Sequence, residues 1–435
     1  MLLQFEARAM HARRGGRKFR RKRTRDESDS TYPGALNAMD EPNAPLLTIN
    51  TGSSSLKTAV YRLGEAEHCL VTAEAKQIGL PMGRIRIEDG AGEVLQERDE
   101  RLPDHAAALG RVLAWLKTHR QMHALAGVGH RIVHGGRNHD APQWINQALL
   151  EDLHALVPLA PEHLPQAIGA IEKVKEMLGD VPQAACFDTS FHSTLPRCAR
   201  LLPLPRAMAD GGIVRYGFHG LSYEYLVGEL RKADPKHAGG RAVLAHLGNG
   251  ASMAAVLRGR SIDTSMGFTP AGGLVMGTRT GDVDPGVLVY LLNQKGYTPE
   301  SLNRLVNQES GMLGISSQTP DMRELLGASE RDPAAAEAVE IFCYQARKFL
   351  GAYAAALGGL DNLVFTGGIG ERASFVRERI CAGLDFLGIR LSPKRNAEHA
   401  EVISTNESRV TVRVIETEED LMIARHTHQL LTSKE

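Results

Sequence analysis

Residues 46–63 read LLTINTGSSSLKTAVYRL. An apolar run ends in a small polar turn, and an alternating run follows a lysine. Gly52-Ser53-Ser54-Ser55 ahead of Lys57 has the composition of a phosphate cradle, because backbone N–H groups, hydroxyls and a lysine charge all suit phosphate oxygens. Yet the spacing is not G-x-x-x-x-G-K-[ST], and no helix opens after the turn. The stretch reads as a hairpin, Leu46–Asn50 against Lys57–Leu63. It is therefore either a phosphate site carried between two strands or an ordinary serine-rich β-turn.

The device recurs. RAVLAHLGNGASMAAVLRG (241–259) is again strand, small-residue turn, strand. GRIRIEDGAGEVLQER (83–98) is a hairpin about Asp89-Gly90. GVGHRIVHGG (127–136) and QAACFDTSF (183–191) read as strands. NLVFTGGIGE (362–371) reads as a strand and then a glycine loop, with a helix from Ser374. Segments 104–119, 165–178 and 333–358 carry apolar residues at helical spacing. Strands mixed with helices, and one device used twice, predict an α/β chain of two related domains facing each other.

The chain has 435 residues, 43% apolar and 23% charged, with room for more than one core. No apolar run is long enough to cross a membrane as a helix. The five cysteines (Cys69, Cys186, Cys198, Cys343 and Cys381) are scattered without C-x-x-C spacing, which fits a reducing compartment, the cytoplasm, and carries no zinc signature. The net charge of zero hides an asymmetry: residues 1–44 hold ten bases and six acids, so the body is mildly acidic. This basic leader lacks apolar periodicity and an apolar signal core, and is expected to be disordered. It reads as an arm for nucleic acid or an anionic surface, as a transit-like peptide, or as an extension ahead of a start at Met39; composition favours the last.

Several polar, glycine-rich segments stand where strands end, the usual position of sites in α/β proteins. NTGSSSLK offers Asn50, the turn amides and Lys57. HLGNGAS (246–252) offers His246 and a second small-residue turn, which read alone is a hairpin at Asn249-Gly250. GTRTGDVDPG (277–286) sets Arg279 among small residues, suited to bidentate contact with phosphate or carboxylate, or to a local ion pair with Asp282 or Asp284. GHRIVHGG places Arg131 in an apolar strand, where a charge needs a partner: a buried salt bridge or an anionic ligand. FDTSFH and RYGFHG add Asp188, His192 and His219. There is no zinc spacing and no Ser-His-Asp arrangement. The set fits phosphoryl transfer, where positioning and charge neutralisation do nearly everything, and Asn50 with a carboxylate suits Mg²⁺.

Taken together, INTGSSSLK, HRIVHGG, FDTSFH, RYGFHG, HLGNGAS, DTSMGFTP, MGTRTGDVDPG, SGMLGIS, DMR, FTGGIGE and LMIAR resemble, in order, the acetate/propionate/butyrate kinases of the actin-like ATPase superfamily, across about residues 45 to 428. The resemblance implies two ribonuclease H-like domains with mixed sheets flanked by helices: 45–190 plus 417–435 for the acyl substrate and metal, and 191–416 for the nucleotide and a dimer interface, with the active site between them. It implies transfer between ATP and acetate giving ADP and acetyl phosphate, with Mg²⁺ or Mn²⁺, in a homodimer. Arg131 and Arg279 would bind the carboxylate and the transferring phosphoryl. His219 and Arg279 would stabilise the transition state. Asp188 is the family's catalytic aspartate, and orienting Arg131 suits it better than acting as a base, because a carboxylate nucleophile has no proton to lose. Asn50 and Glu419 would serve the metal. Val133, Phe218 and Pro270 would line the acyl pocket. Lys57, His246, Leu247, Gly248, Asn249 and Gly250, then Asp321, Met322 and Arg323, then Gly368, Ile369, Gly370, Glu371 and Arg372, would surround the nucleotide.

Three positions depart from the family pattern. Arg372 ends G-I-G-E-N; Tyr223 replaces the second histidine of G-F-H-G-T-S-H; Glu162 replaces the leucine of A-P-L-H-N-P, a pocket position, in Ala160-Pro161-Glu162-His163-Leu164-Pro165. A carboxylate in an apolar pocket is costly unless paired or turned to water. Propionate or a more polar short acid is the alternative substrate.

Overall fold

The opening stretch is a hairpin: Leu46–Thr51 (β1) turns at Gly52 and returns antiparallel as Ser55–Leu63 (β2), with Asn50 opposite Lys57. The Gly52 N–H donates to the Ser55 carbonyl at 2.8 Å and closes the turn. The computed structural model describes residues 44–119, 125–235 and 239–433; the leader up to residue 43, with Met39, lies outside them.

Glu67–Lys76 (β3), Gly83–Asp89 (β4) and Val94–Glu100 (β5) extend β2 as an antiparallel meander. On the other side of β1 lie Gly127–Ile132 (β6) and, after the short Gln143–Trp144 (β7), Gln183–Phe187 (β8). β6 and β8 run parallel to β1, giving the order β5-β4-β3-β2-β1-β6-β8-β7. The second sheet is built from Arg241–Leu247 (β9), Ala251–Leu257 (β10), Arg260–Thr264 (β11), Asn362–Thr366 (β12) and Thr411–Val414 (β13), in the order β11-β10-β9-β12-β13. Here too the first three strands are antiparallel, and β12 and β13 run parallel to β9. The run β3-β2-β1-β6-β8 therefore matches β11-β10-β9-β12-β13 strand for strand in order and direction. The device seen twice in the sequence is a topology used twice.

Helices cover both faces of each sheet. His105–Thr118 and Leu164–Leu178 pack together on the outer face of the first sheet, and Glu419–Thr432 crosses β1, β6 and β8 on the inner face. β1 is buried along its whole length, as expected of a strand covered on both sides. Pro333–Ala356 covers the outer face of the second sheet. Glu419–Thr432 and Gly220–Ala233 lie between the sheets. Leu421–Ala424, Leu226, Leu46, Leu244 and Val364 share one buried apolar cluster there, which ties the sheets together.

One element departs from its expected form. Gly367–Arg372 is a helical turn, not a glycine loop. The Glu371 carboxylate reaches back to accept from the Gly367 N–H at 2.8 Å and from the Thr366 hydroxyl at 3.2 Å, satisfying donors that a helix start leaves open.

Candidate active site

The ends of three neighbouring strands meet the start of the C-terminal helix. Arg131, near the end of β6, lays its guanidinium along Asp188, just after β8: Nε lies 3.1 Å from each carboxylate oxygen and Nη2 2.6 Å from Oδ2. Arg131 Nη1 donates to Asn50 Oδ1 at 3.1 Å, at the end of β1. Asn50 Nδ2 donates to Glu419 Oε2 at 3.0 Å, and Glu419 lies 3.6 Å from Arg131. Burial works against the Arg131 charge, but Asp188 and Glu419 outweigh it and hold the guanidinium above its ordinary range. Burial raises the Asp188 carboxyl and Arg131 opposes it; a bidentate pair of this geometry stays ionised. Of the two readings left open for Arg131, the buried salt bridge is realised, and it stands at the head of the sheet beside Asn50 and Glu419.

The second sheet presents a different chemistry. His219 precedes the helix Gly220–Ala233 in the left-handed conformation, φ 59°. The following Gly220 N–H donates to the Asp188 carbonyl at 2.9 Å. A side chain at 220 would sit 2.0 Å from that carbonyl, so glycine permits the approach that couples the two sheets. The His219 and His246 rings stack with centroids 4.2 Å apart. Burial pushes His219 well below its ordinary range, helped by His246, Arg131 and Arg279, so the imidazole is neutral. Arg279 Nη1 donates to the Pro270 carbonyl at 3.1 Å. No carboxylate pairs with Arg279 among the described residues: Asp284 instead caps the helix Pro285–Gln294, and Asp282 accepts from the Gly273 N–H. The local ion pair considered for Arg279 is not formed. Burial, then the neighbouring Arg131 charge, lowers its guanidinium to about 10, against a counter-pull from Glu162. It is still a cation at neutral pH, without an anion.

The other expected residues fall into groups. Lys57 is exposed opposite Asn50; against burial, Arg131 first, then His246, Asn50 and Lys57, hold the Glu419 carboxyl below its ordinary range. The turn Gly248–Gly250 faces His219 and Arg279: a Cβ on Gly250 would lie 3.6 Å from both His219 Nε2 and Arg279 Nη1. Gly367 packs on the Leu247 backbone, which brings the start of the 367–372 helix to the same turn. Gly368 and Arg372 are exposed, Ile369 partly so. Asp321 caps the helix Met322–Ala328 and pairs with the exposed Arg323 at 2.9 Å; no bond joins them to the hairpin turns among the described residues. Val133 and Phe218 are buried in one cluster. Glu162 accepts from Gln308 Nε2 at 2.8 Å, so its carboxylate is partnered.

Three neighbours carry signals the sequence did not reveal. His163 is held down to about 3 by burial, then by Arg279 and Arg131, and its Nδ1 is buried without a partner. Asp420, next to Glu419, has a buried and unpartnered Oδ1. Arg377, fully buried, donates all five N–H groups to uncharged acceptors: Asn396 Oδ1 and carbonyl, His399 Nδ1, and the Gly370 and Glu371 carbonyls that end the 367–372 helix.

The donor set at Asn50 and Glu419 suits a hard divalent cation. Both offer oxygen, and Asp188, Glu419 and Asp420 outnumber Arg131 and Lys57 around them, so the carboxylates hold surplus negative charge. Among the described residues, no group of three or more His, Cys, Asp or Glu stands ready to enclose a metal alone.

The chain is 46% identical over 396 residues to an acetate kinase of Methylocella silvestris, covering 89% of this chain and 98% of that one. Its structure resembles an acetate kinase from Porphyromonas gingivalis (TM-score 0.80, 36% identity, 89% and 100% of the two chains). It also resembles a propionate kinase from Francisella tularensis (TM-score 0.82, 34% identity, 88% and 98%). Fold and relatives together define a kinase, a phosphotransferase with a carboxyl group as acceptor. More narrowly, residues 45–425 match the model of the Acetokinase family, and the chain belongs to that family.

Proposed function

We propose that the protein moves the γ-phosphoryl group between ATP and acetate, giving ADP and acetyl phosphate, by direct in-line transfer. The observation that carries this reading is the arginine pair. Arg131 is fixed by Asp188, and Arg279 lacks a carboxylate yet sits close enough to Arg131 for the two charges to oppose each other. Two cations held together in a partly buried site call for an anion between them. Arg131 takes the acyl carboxylate, which is already a nucleophile. Asp188, with both oxygens engaged, positions Arg131 and is not free to act as a base. Arg279 and His219 meet the charge on the transferring phosphoryl. Val133, Phe218 and Pro270 receive the methyl group.

Lys57, the His246–Gly250 turn, Asp321–Arg323 and Gly368–Arg372 surround the nucleotide. Mg²⁺, held by Asn50 and Glu419, supplies charge neutralisation when bound. The division into 45–190 with 417–435 and 191–416 follows the two sheets. A homodimer is supported by the helix Pro285–Gln294, which buries none of its residues and exposes Val287, Val289, Tyr290 and Leu292. The cytoplasm fits the five free cysteines.

Trapping acyl phosphate with hydroxylamine across formate, acetate, propionate, butyrate and glycolate tests the substrate. A kcat/KM that is best for any acid other than acetate overturns the choice. Arg131→Ala should lower kcat by roughly 10²–10⁴; near-normal turnover removes Arg131 from its role.

A further inference from the structure

His219 and His246 do not rest on the backbone. Each ring is hydrogen-bonded through Nδ1 to a serine that is itself the second member of a hydroxyl pair. Ser252 Oγ lies 2.8 Å from His219 Nδ1, and the Tyr223 hydroxyl bonds to the same Ser252 Oγ. Ser222 Oγ lies 2.9 Å from His246 Nδ1, and the Thr417 hydroxyl donates to Ser222 Oγ at 2.9 Å. The arrangement uses the helix repeat: Tyr223 is one turn after His219, its N–H bonded to the His219 carbonyl. Ser252 stands opposite His246 in the β9–β10 ladder.

Donor counting sets the direction of both chains. Tyr223 is wholly buried and has one O–H to place. Its one hydroxyl partner among the described residues is Ser252 Oγ. Tyr223 therefore donates to Ser252, and Ser252 spends its own proton on Nδ1 of His219. Thr417 and Ser222 repeat the sequence toward His246. A neutral imidazole that accepts at Nδ1 carries its proton on Nε2. Both Nε2 atoms look at the glycine turn. A Cβ on Gly250 would lie 3.6 Å from His219 Nε2, and one on Gly248 would lie 4.0 Å from His246 Nε2.

We infer that two parallel hydroxyl relays, Tyr223–Ser252 and Thr417–Ser222, lock the stacked imidazoles in the Nε2–H tautomer, so that they present paired uncharged donors to phosphate oxygens over the Gly248–Gly250 turn. Tyr223, Ser252, Ser222 and Thr417 are then positioning residues. Stacked imidazolium ions beside Arg131 and Arg279 would repel one another, whereas two neutral donors add hydrogen bonds without further charge. The lowered pKa values of both rings, caused first by burial, agree with this. The catalytic use of the relays rests on the proposed phosphoryl-transfer role of His219; the tautomer itself does not.

The test has two arms. In protein carrying ¹⁵N-labelled histidine at pH 7.5, both rings should show a protonated Nε2 and an unprotonated Nδ1. An Nδ1–H form or an imidazolium at His219 overturns the relay. Ser252→Ala should let the His219 tautomer mix and lower kcat by roughly 10- to 100-fold, with KM values for ATP and acetate within about twofold. Ser252→Thr, which keeps a hydroxyl, should restore most of the loss. A Ser252→Ala protein with an unmixed Nε2–H signal and full kcat overturns the inference. His219→Ala separates the two readings: near-normal turnover there removes His219 from phosphoryl transfer, and with it the catalytic use of the relay, whatever the tautomer.

Discussion

Replacing Arg279 by methionine should damage turnover and strengthen the empty fold at once. Methionine keeps most of the stem volume and removes the charge. The guanidinium is pushed down to about 10, by burial first and Arg131 next, with Glu162 opposing. A lowered pKa on a cation means that the folded chain disfavours the charge relative to the unfolded chain. At neutral pH the charge is therefore a cost to folding that the variant escapes. Discounted for the partial exposure of Arg279 and for its lost bond to the Pro270 carbonyl, the gain should be about 1 kcal/mol. The same change removes the cation left for the phosphoryl group, and kcat should fall by roughly 10²–10³. Acyl hydroxamate formation reads the first effect, and the urea midpoint of the ligand-free protein at pH 7.5 reads the second. ADP with acetyl phosphate should raise that midpoint in the wild type far more than in the variant. A variant that turns over normally, or that unfolds at lower urea without ligand, would refute the reading of Arg279 as an unpaired charge held for an anion.

Three further outcomes are expected. His130, His134 and His192 are each held down to about 4 by burial, so stability present above the unfolded value near 6.5 is lost as pH falls from there toward 4, by up to about 3 kcal/mol for each ring; a urea midpoint that stays flat from pH 7.5 to 5 contradicts this. Glu162→Leu breaks the bond to Gln308 but leaves Val133 and Phe218 in place, so kcat/KM for acetate should change by less than about tenfold; a larger change, or a switch of preferred acid in the hydroxamate panel, would put the carboxylate inside the pocket. Arg377→Met strands the Gly370 and Glu371 carbonyls and Asn396, costing at least about 3 kcal/mol, and should raise KM for ATP more than for acetate, with Arg377→Lys intermediate; equal changes in the two KM values would detach Arg377 from the nucleotide.

What could be read from the sequence was local. The hairpin at Gly52 and its counterpart at Asn249 announce themselves because turn residues sit between alternating runs, and the pairing of Asn50 with Lys57 follows from the short loop. Arg131 could be flagged as a charge in an apolar strand, but the local pattern did not choose its partner; only the family resemblance pointed to Asp188. Asp188 lies 57 residues away, and Glu419 lies 369 residues from Asn50; only the strand order brings them together. The Gly-Gly pair at 367–368 hid a helical turn, because its cap is the side chain of Glu371, placed after the glycines. Asp282 and Asp284 looked like partners for Arg279 by proximity, whereas backbone N–H groups claim both. Arg377 carries no pattern of its own, and His163, Ser222 and Ser252 stand inside motifs that give them no role. Their meaning depends on which buried donors and acceptors they face, and that is decided by packing.

The repeated topology also accounts for the proposed division of labour across the site. In each sheet the first strand of the hairpin has a parallel neighbour, so chain ends that are far apart in sequence emerge side by side at the same edge. In the first sheet these ends carry Asn50, Arg131 and Asp188. In the second they carry His246 and, directly alongside it, Thr366 leading into Gly367. One edge is charged and held in an ion-pair network; the other is neutral, small and rich in backbone N–H. A short carboxylate and a metal need the first kind of surface, and the oxygens of a nucleotide's phosphates need the second. A phosphate loop that opens a helix would supply a dipole at one point. A hairpin instead leaves the parallel strand beside it free to deliver Arg131, which is why the turn at Gly52 needs no helix after it.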